Sequence, residues 1–222
     1  MNRIATFTNS SVGRKILLGL TGFFLLSFLV VHLTINLFLL KSDGGGTFDT
    51  YAEFMATHPL LRPLEIVLFA GFLLHMVLGI WLWFLNRRVR GTQYAVNRAS
   101  DTSTLTSRIM WITGIVVLVF LVSHVNAFFV RSRFFEHTVT MSAIVREVFT
   151  DPWAVGFYCV ALVFLGYHLK HGVQSAFQTF GLRVGKWEKW IDAVAVIFWL
   201  LIPMAFAILP IYFLWLSLQG GK

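Results

Sequence analysis

Residues 16–40 read ILLGLTGFFLLSFLVVHLTINLFLL, twenty-five residues without one charged side chain. A helix of that length is about 37 Å long, enough to cross a hydrocarbon core of about 30 Å. No small-residue cleavage site follows, so the run is expected to be a retained helix rather than a signal peptide. Four more runs share this character: Leu64–Leu85, Ile109–Val130, Trp153–Phe180 and Ile191–Leu218. Only the Trp153–Phe180 run admits strongly polar groups near its end, Lys170 and His171. The segments between the runs are polar and carry turn signals such as Asp43-Gly44-Gly45-Gly46 and Asp151-Pro152. No linker, repeat or low-complexity tract divides the chain. The expected fold is all-α: an integral membrane protein, a five-transmembrane-helix bundle forming one domain over residues 1–222.

Composition points the same way. The chain is 57% hydrophobic and 13% charged, with mean hydropathy +0.75, whereas a soluble domain carries about a quarter charged residues. Too few polar groups remain to cover a water-facing surface. The net charge of +8 does not indicate nucleic acid, because the basic residues lie between apolar runs and not on one soluble face. The single cysteine, Cys159, excludes an intramolecular disulfide and a multi-cysteine metal site; inside an apolar run it reads as a packing residue.

Loop charges set the direction. Arg3, Arg14 and Lys15 precede the first run. Arg87, Arg88, Arg90, Arg98 and Arg108 follow the second against Asp101 alone, and Arg183, Lys186 and Lys189 follow the fourth against Glu188. In the other two loops, Lys41, Arg62, Arg131, Arg133 and Arg146 are offset by Asp43, Asp49, Glu53, Glu136, Glu147 and Asp151. The positive-inside rule places the first set in the cytoplasm and the C-terminus outside. Trp81, Trp83, Trp111, Trp153, Trp187, Trp190 and Trp215 fall near span ends, as an interfacial belt requires; Trp199 does not and reads as packing. Pro203 and Pro210 are expected to bend the fifth helix unless neighbours satisfy the freed carbonyls.

Five histidines lie within spans: His32, His75, His124, His168 and His171. His58 and His137 fall in loops and read as surface residues. A polar side chain in a bilayer is costly and turns to the bundle interior or a cofactor. One such histidine is easily a hydrogen-bonded core residue; one on each of four consecutive helices points to a shared purpose. Alternate helices run in opposite directions. His32 and His124 lie about four residues past the midpoints of outward-running helices, roughly 6 Å toward the outer face. His75 lies near the midpoint of an inward-running helix, and His168 two or three residues past the midpoint of the next. The set sorts into two pairs at two depths, His32 with His124 and His75 with His168, as two bis-imidazole haems stacked across the membrane demand. Two imidazoles saturate haem iron and favour electron transfer over oxygen binding. His171, three residues on, shares part of the His168 face; helix depth, matched to His75, favours His168 as the ligand.

A flat macrocycle needs room beside its ligand helix. Gly71 and Gly79 flank His75 at four residues, and Gly172 follows His168 by four; close helix–helix contact through small residues is the alternative for each. Phe28, Asn36, Phe120 and Phe128 stand in the equivalent places around His32 and His124. Lys170 and His171 lie nearer the cytoplasm, where haem propionates need cationic or donor partners, unless Lys170 snorkels to headgroups. Glu65 lies ten residues before His75, about 15 Å along the helix. It is a candidate proton carrier for a quinone near the outer haem, or else a helix N-terminal carboxylate favoured by the dipole.

Ser11-Val12-Gly13-Arg14-Lys15, Thr21-Gly22 and His32-Leu33-Thr34-Ile35-Asn36 are joined by Arg62-Pro63-Leu64-Glu65, Tyr167-His168-Leu169-Lys170-His171-Gly172 and Phe177-Gln178-Thr179-Phe180-Gly181. Together these resemble the cytochrome b558 membrane subunit of succinate:quinone oxidoreductases, the succinate dehydrogenases and fumarate reductases of complex II. The resemblance covers nearly the whole chain. It implies a single-chain anchor with two b haems in a bacterial cytoplasmic membrane, docked at the cytoplasmic face on an iron–sulfur subunit that meets a flavoprotein subunit. It further implies that helices two and four ligate the inner haem, by position His75 and His168, and helices one and three the outer, His32 and His124. Menaquinone is the implied quinone, and succinate chemistry belongs to the partner chains.

Two other readings stand beside this one: a cytochrome b subunit of a hydrogenase or formate dehydrogenase, and a haem-free transporter or scaffold using its histidines for protons or packing. A bc1-type cytochrome b, with two histidines about fourteen residues apart on each of two helices, does not fit. If the charge-based direction is right, crosslinks to hydrophilic subunits form from the loop bearing Arg87, Arg88, Arg90 and Arg98. Crosslinks confined to the other face would invert the topology.

Overall fold

The computed structural model describes residues 10–89 and 105–220; Arg3, Arg90, Arg98 and Asp101 lie outside the described residues. The elements are helical: α1 (Ser11–Leu37), α2 (Gly46–Thr57), α3 (Leu61–Val89), α4 (Leu105–Arg108), α5 (Met110–His124), α6 (Met141–Val148), α7 (Pro152–Thr179), α8 (Trp187–Val196) and α9 (Ile202–Gly220). Wider π turns continue α5 through Val125–Phe135 and join α8 to α9 through Ile197–Leu201. Five helical stretches are long and apolar enough to cross a membrane: Ser11–Leu40, Leu61–Arg88, Met110–Phe135, Pro152–Thr179 and Trp187–Gly220. Their outer faces are apolar, with Leu64, Ile66, Phe69, Leu73 and Val77 of α3 all exposed. Such a face is stable in lipid and not in water.

The expected spans are met within a few residues, with one informative difference. The third span is expected to end at Val130, before Arg131, Ser132 and Arg133. The helix runs on to Phe135. Arg131 reaches Glu136 at 2.8 Å and Glu147 at 2.6 Å, so its charge is matched at the membrane boundary and does not end the helix.

Two helices organise the bundle. α1 packs on α3 and α7, while α7 also packs on α5 and on α9 with its preceding π turn. α3 and α5 meet through aromatic rings, Phe69 with Phe129 at 5.3 Å and Trp83 with Trp111 at 6.0 Å. Local chemistry fixes the helix starts. Ser10 caps α1 by accepting from Gly13 N at 2.9 Å; Asp151 caps α7, with Pro152 in the first turn.

At the end where α1 leaves the membrane, α2 and α6 fold over the bundle. The Asp49 carboxylate accepts from the Ser142 backbone N–H at 2.8 Å and its hydroxyl at 2.6 Å, joining α2 to the start of α6. Gly45, at φ 97°, allows the approach: a Cβ there would lie 2.7 Å from that of Ser142. Ile144, Val145 and Phe149 are buried beneath this cap with Leu39, Phe48 and Phe213. At the opposite end Arg183 binds Asp192 at 3.1 Å and Glu188 at 3.2 Å, while Gln174 donates to Asp192. That network ties α7 to α8, so Arg183 is a structural cation.

A π turn, Ile197–Leu201, precedes Pro203 near the start of α9, while Pro210 lies inside α9, which runs unbroken to Gly220. Proline has no N–H for the carbonyl four residues back, that of Trp199. This oxygen faces Gly166 of α7, where an added Cβ would sit 2.6 Å away. Gly166→Ala therefore forces α7 from the fifth span. A cost of about 1–3 kcal/mol is expected, read as a lower apparent Tm of the detergent-purified protein; an unchanged Tm would show that the contact is easily relieved.

Candidate functional site

The bundle brings the span histidines together as two pairs. The His32 and His124 rings, from α1 and α5, lie 5.7 Å apart between centroids. The His75 and His168 rings, from α3 and α7, lie 6.4 Å apart. His171 is half-buried one turn beyond His168, and it is His168 whose ring contacts His75. The levels are separate: Thr21, which touches His75, and His32 are eleven residues apart on α1, about 16 Å along the helix.

Polar neighbours hold the rings. Thr21 Oγ1 lies 3.0 Å from His75 Nδ1. The Tyr158 hydroxyl lies 3.3 Å from His124 Nδ1. Asn36 Nδ2 is 3.4 Å from His32 Nδ1 and donates to the His32 carbonyl at 2.8 Å. His168 Nδ1 is buried without a hydrogen-bond partner. Aromatic rings pack on the His32–His124 pair: Phe28 at 5.3 Å and Phe206 at 5.6 Å on His32, Phe120 at 5.6 Å and Phe128 at 5.1 Å on His124. Sequence reasoning named Phe28, Asn36, Phe120 and Phe128 but missed Thr21, Tyr158 and Phe206 as neighbours. Thr21 and Tyr158 carried a usable signal, since each is a polar group inside an apolar run.

The glycines differ. A Cβ on Gly71 would strike the Phe24 ring at 2.8 Å, so this glycine serves helix packing. A Cβ on Gly79 or Gly172 would meet nothing within 4 Å, whereas one on Gly22 would lie 3.5 Å from the His75 ring and one on Gly114 3.9 Å from the His168 ring. Lys170 Nζ lies 4.6 Å over the Trp199 ring, a cation–π contact. Glu65 is paired with Arg62 at 2.8 Å and approached by Arg133 at 3.9 Å, joining the start of α3 to the end of the third span.

The donor set fits haem. A porphyrin brings its own four nitrogens, and only two axial ligands are asked of the protein. Each pair offers two imidazoles from different helices, and among the described residues no group of three or more His, Cys, Asp or Glu converges. A metal bridging two imidazole nitrogens needs bonds of about 2 Å each. With the ring radii this puts the centroids roughly 6 Å apart, close to both separations seen. A buried Nδ1 on His168 without a partner is a further sign that the protein alone does not satisfy the polar groups of this pair.

The succinate dehydrogenase cytochrome b558 subunit of Bacillus subtilis (strain 168) is 29% identical to this chain over 159 residues, covering 71% of this chain and 73% of that one. The chain is a homologue of that subunit. No family model matches it, and no solved structure does. The relationship agrees with the all-helical structure and its five helices long and apolar enough to cross a membrane.

Of the two candidates on α7, His168 is the one in ring contact with His75. His168→Leu is expected to remove one b-type haem from the purified protein, whereas His171→Leu keeps both, as read from reduced-minus-oxidised spectra. The reverse outcome would make His171 the ligand.

Proposed function

We propose that the chain is the diheme cytochrome b membrane anchor of a succinate:quinone oxidoreductase, passing electrons between an iron–sulfur subunit and membrane quinone, with menaquinone the expected partner. The observation that carries the reading is the meeting of four span histidines as two pairs at two levels, in a chain homologous to a cytochrome b558 subunit. His32 and His124 would hold one haem b, His75 and His168 the other. When bound, the haems supply reversible one-electron transfer, with oxygen excluded by the second imidazole.

The protein's own residues supply position and insulation. Four helices hold the imidazoles, and the aromatic packing around His32 and His124 keeps that level dry. The cap of α2 and α6 closes the end expected to face outward. The opposite end, with Arg87 and Arg88 in the last turn of α3, would meet the iron–sulfur subunit and, through it, the flavoprotein. Glu65, between Arg62 and Arg133, remains the candidate to exchange protons with quinone at the outer level. This assigns the N-terminus to the cytoplasm of a bacterial cell and the C-terminus to the outside.

The competing transporter or scaffold reading requires no haem. Dithionite-reduced protein is expected to show a b-type α-band with two haems per chain and two resolved midpoints. His32→Leu or His124→Leu should remove mainly one of them, and His75→Leu mainly the other. A ratio of one haem per chain would overturn the two-pair assignment; absence of the α-band would overturn every cytochrome reading.

A further inference from the structure

An imidazole that ligates a metal through Nε2 must carry its proton on Nδ1, and a partner on Nδ1 fixes both the tautomer and the plane of the ring. At one histidine of each pair that partner comes from another helix. Thr21 of α1 stands 3.0 Å from His75 Nδ1 on α3, and Tyr158 of α7 stands 3.3 Å from His124 Nδ1 on α5.

The Leu18 carbonyl gives the first bond a direction, because it offers the Thr21 proton another acceptor. The Thr21 hydroxyl has one proton, and the Leu18 carbonyl, 3.0 Å away, can only accept it. Toward His75 the same oxygen is therefore left to accept, and Nδ1 is the atom that donates. His75 is thus set with Nδ1–H toward α1 and the Nε2 lone pair free. Tyr158 is held by ring-edge contacts with Phe120 at 5.1 Å and Phe149 at 5.0 Å, which aim its oxygen at His124. The other member of each pair has no such anchor: Asn36 lies on the helix of His32 and turns its amide nitrogen to the His32 carbonyl, and His168 Nδ1 has no partner.

We propose that Thr21 and Tyr158 are positioning residues, one for each level, which accept the Nδ1 proton of His75 and of His124 and present Nε2 to the metal. This rests on the haem reading above. An accepted Nδ1–H makes the ring a stronger donor and favours oxidised iron, so each hydroxyl holds its own haem at a lower potential.

The test is a redox titration of the purified protein, with low-temperature EPR of its low-spin ferric signals. Thr21→Val should raise the midpoint of the inner haem alone, Tyr158→Phe that of the outer haem alone, and Thr21→Ser should return the inner one toward its original value. A tenfold change in the balance of the two oxidation states reads as ~59 mV for one electron, and loss of such an outer partner costs about 10–100-fold in metal affinity or activity. If the valine variant fails to assemble, Thr21→Ala removes the hydroxyl without adding bulk and carries the same expectation. Unchanged midpoints and EPR signals in protein that retains two haems would overturn the proposal, as would a shift confined to the wrong haem. Wild-type protein without haem would instead overturn the reading on which it rests.

Discussion

A polar group in hydrocarbon without a hydrogen-bond partner costs several kcal/mol, and each departure from plain helical packing here can be traced to that cost. The backbone meets it by staying helical through five spans. Where Pro203 removes an N–H, the chain widens into a π turn and the Trp199 carbonyl turns to Gly166. Arg131 enters the membrane boundary and two glutamates meet it there. At the helix starts, where water or loops take over, Ser10 and Asp151 supply the missing acceptors.

Three of the four paired histidines obey the same constraint, and His168, whose Nδ1 is buried without a partner, is the exception. His75, His124 and His32 each have a polar side chain near Nδ1, while the rings of each pair turn toward one another. Had packing been their only task, a hydrogen bond within the helix would have sufficed for each. Instead α1, α3, α5 and α7 each contribute one imidazole, and the pairs join α1 to α5 and α3 to α7. The site is also part of what sets the arrangement of the helices.

Cap and site are coupled as well. Phe128 and Tyr158 belong to the core beneath α2 and α6 and also touch His124. Loosening the Asp49–Ser142 link would therefore be felt at the His32–His124 level before the other. The His75–His168 level lies on the side away from this cap, where Gly79 and Gly172 leave open space.

The spans and their number could be read from the sequence because a bilayer admits few backbone solutions, and a run such as residues 16–40 satisfies one of them by length alone. The pairing of histidines by depth was also legible, since helices joined by short loops alternate in direction and rise 1.5 Å per residue. Rotation about each helix axis was not. Gly71 and Gly79 stand in the same relation to His75 in the sequence, yet Gly71 receives the Phe24 ring and Gly79 faces open space. Thr21 and Tyr158 come to the imidazoles from other helices, at rotational settings fixed by side-chain packing between α1, α3, α5 and α7. Length and hydropathy dictate which segments enter the membrane and how deep each residue lies, because the solvent acts on the chain one residue at a time. Which faces meet depends on the summed contacts of many side chains at once, and only the tertiary structure decided that.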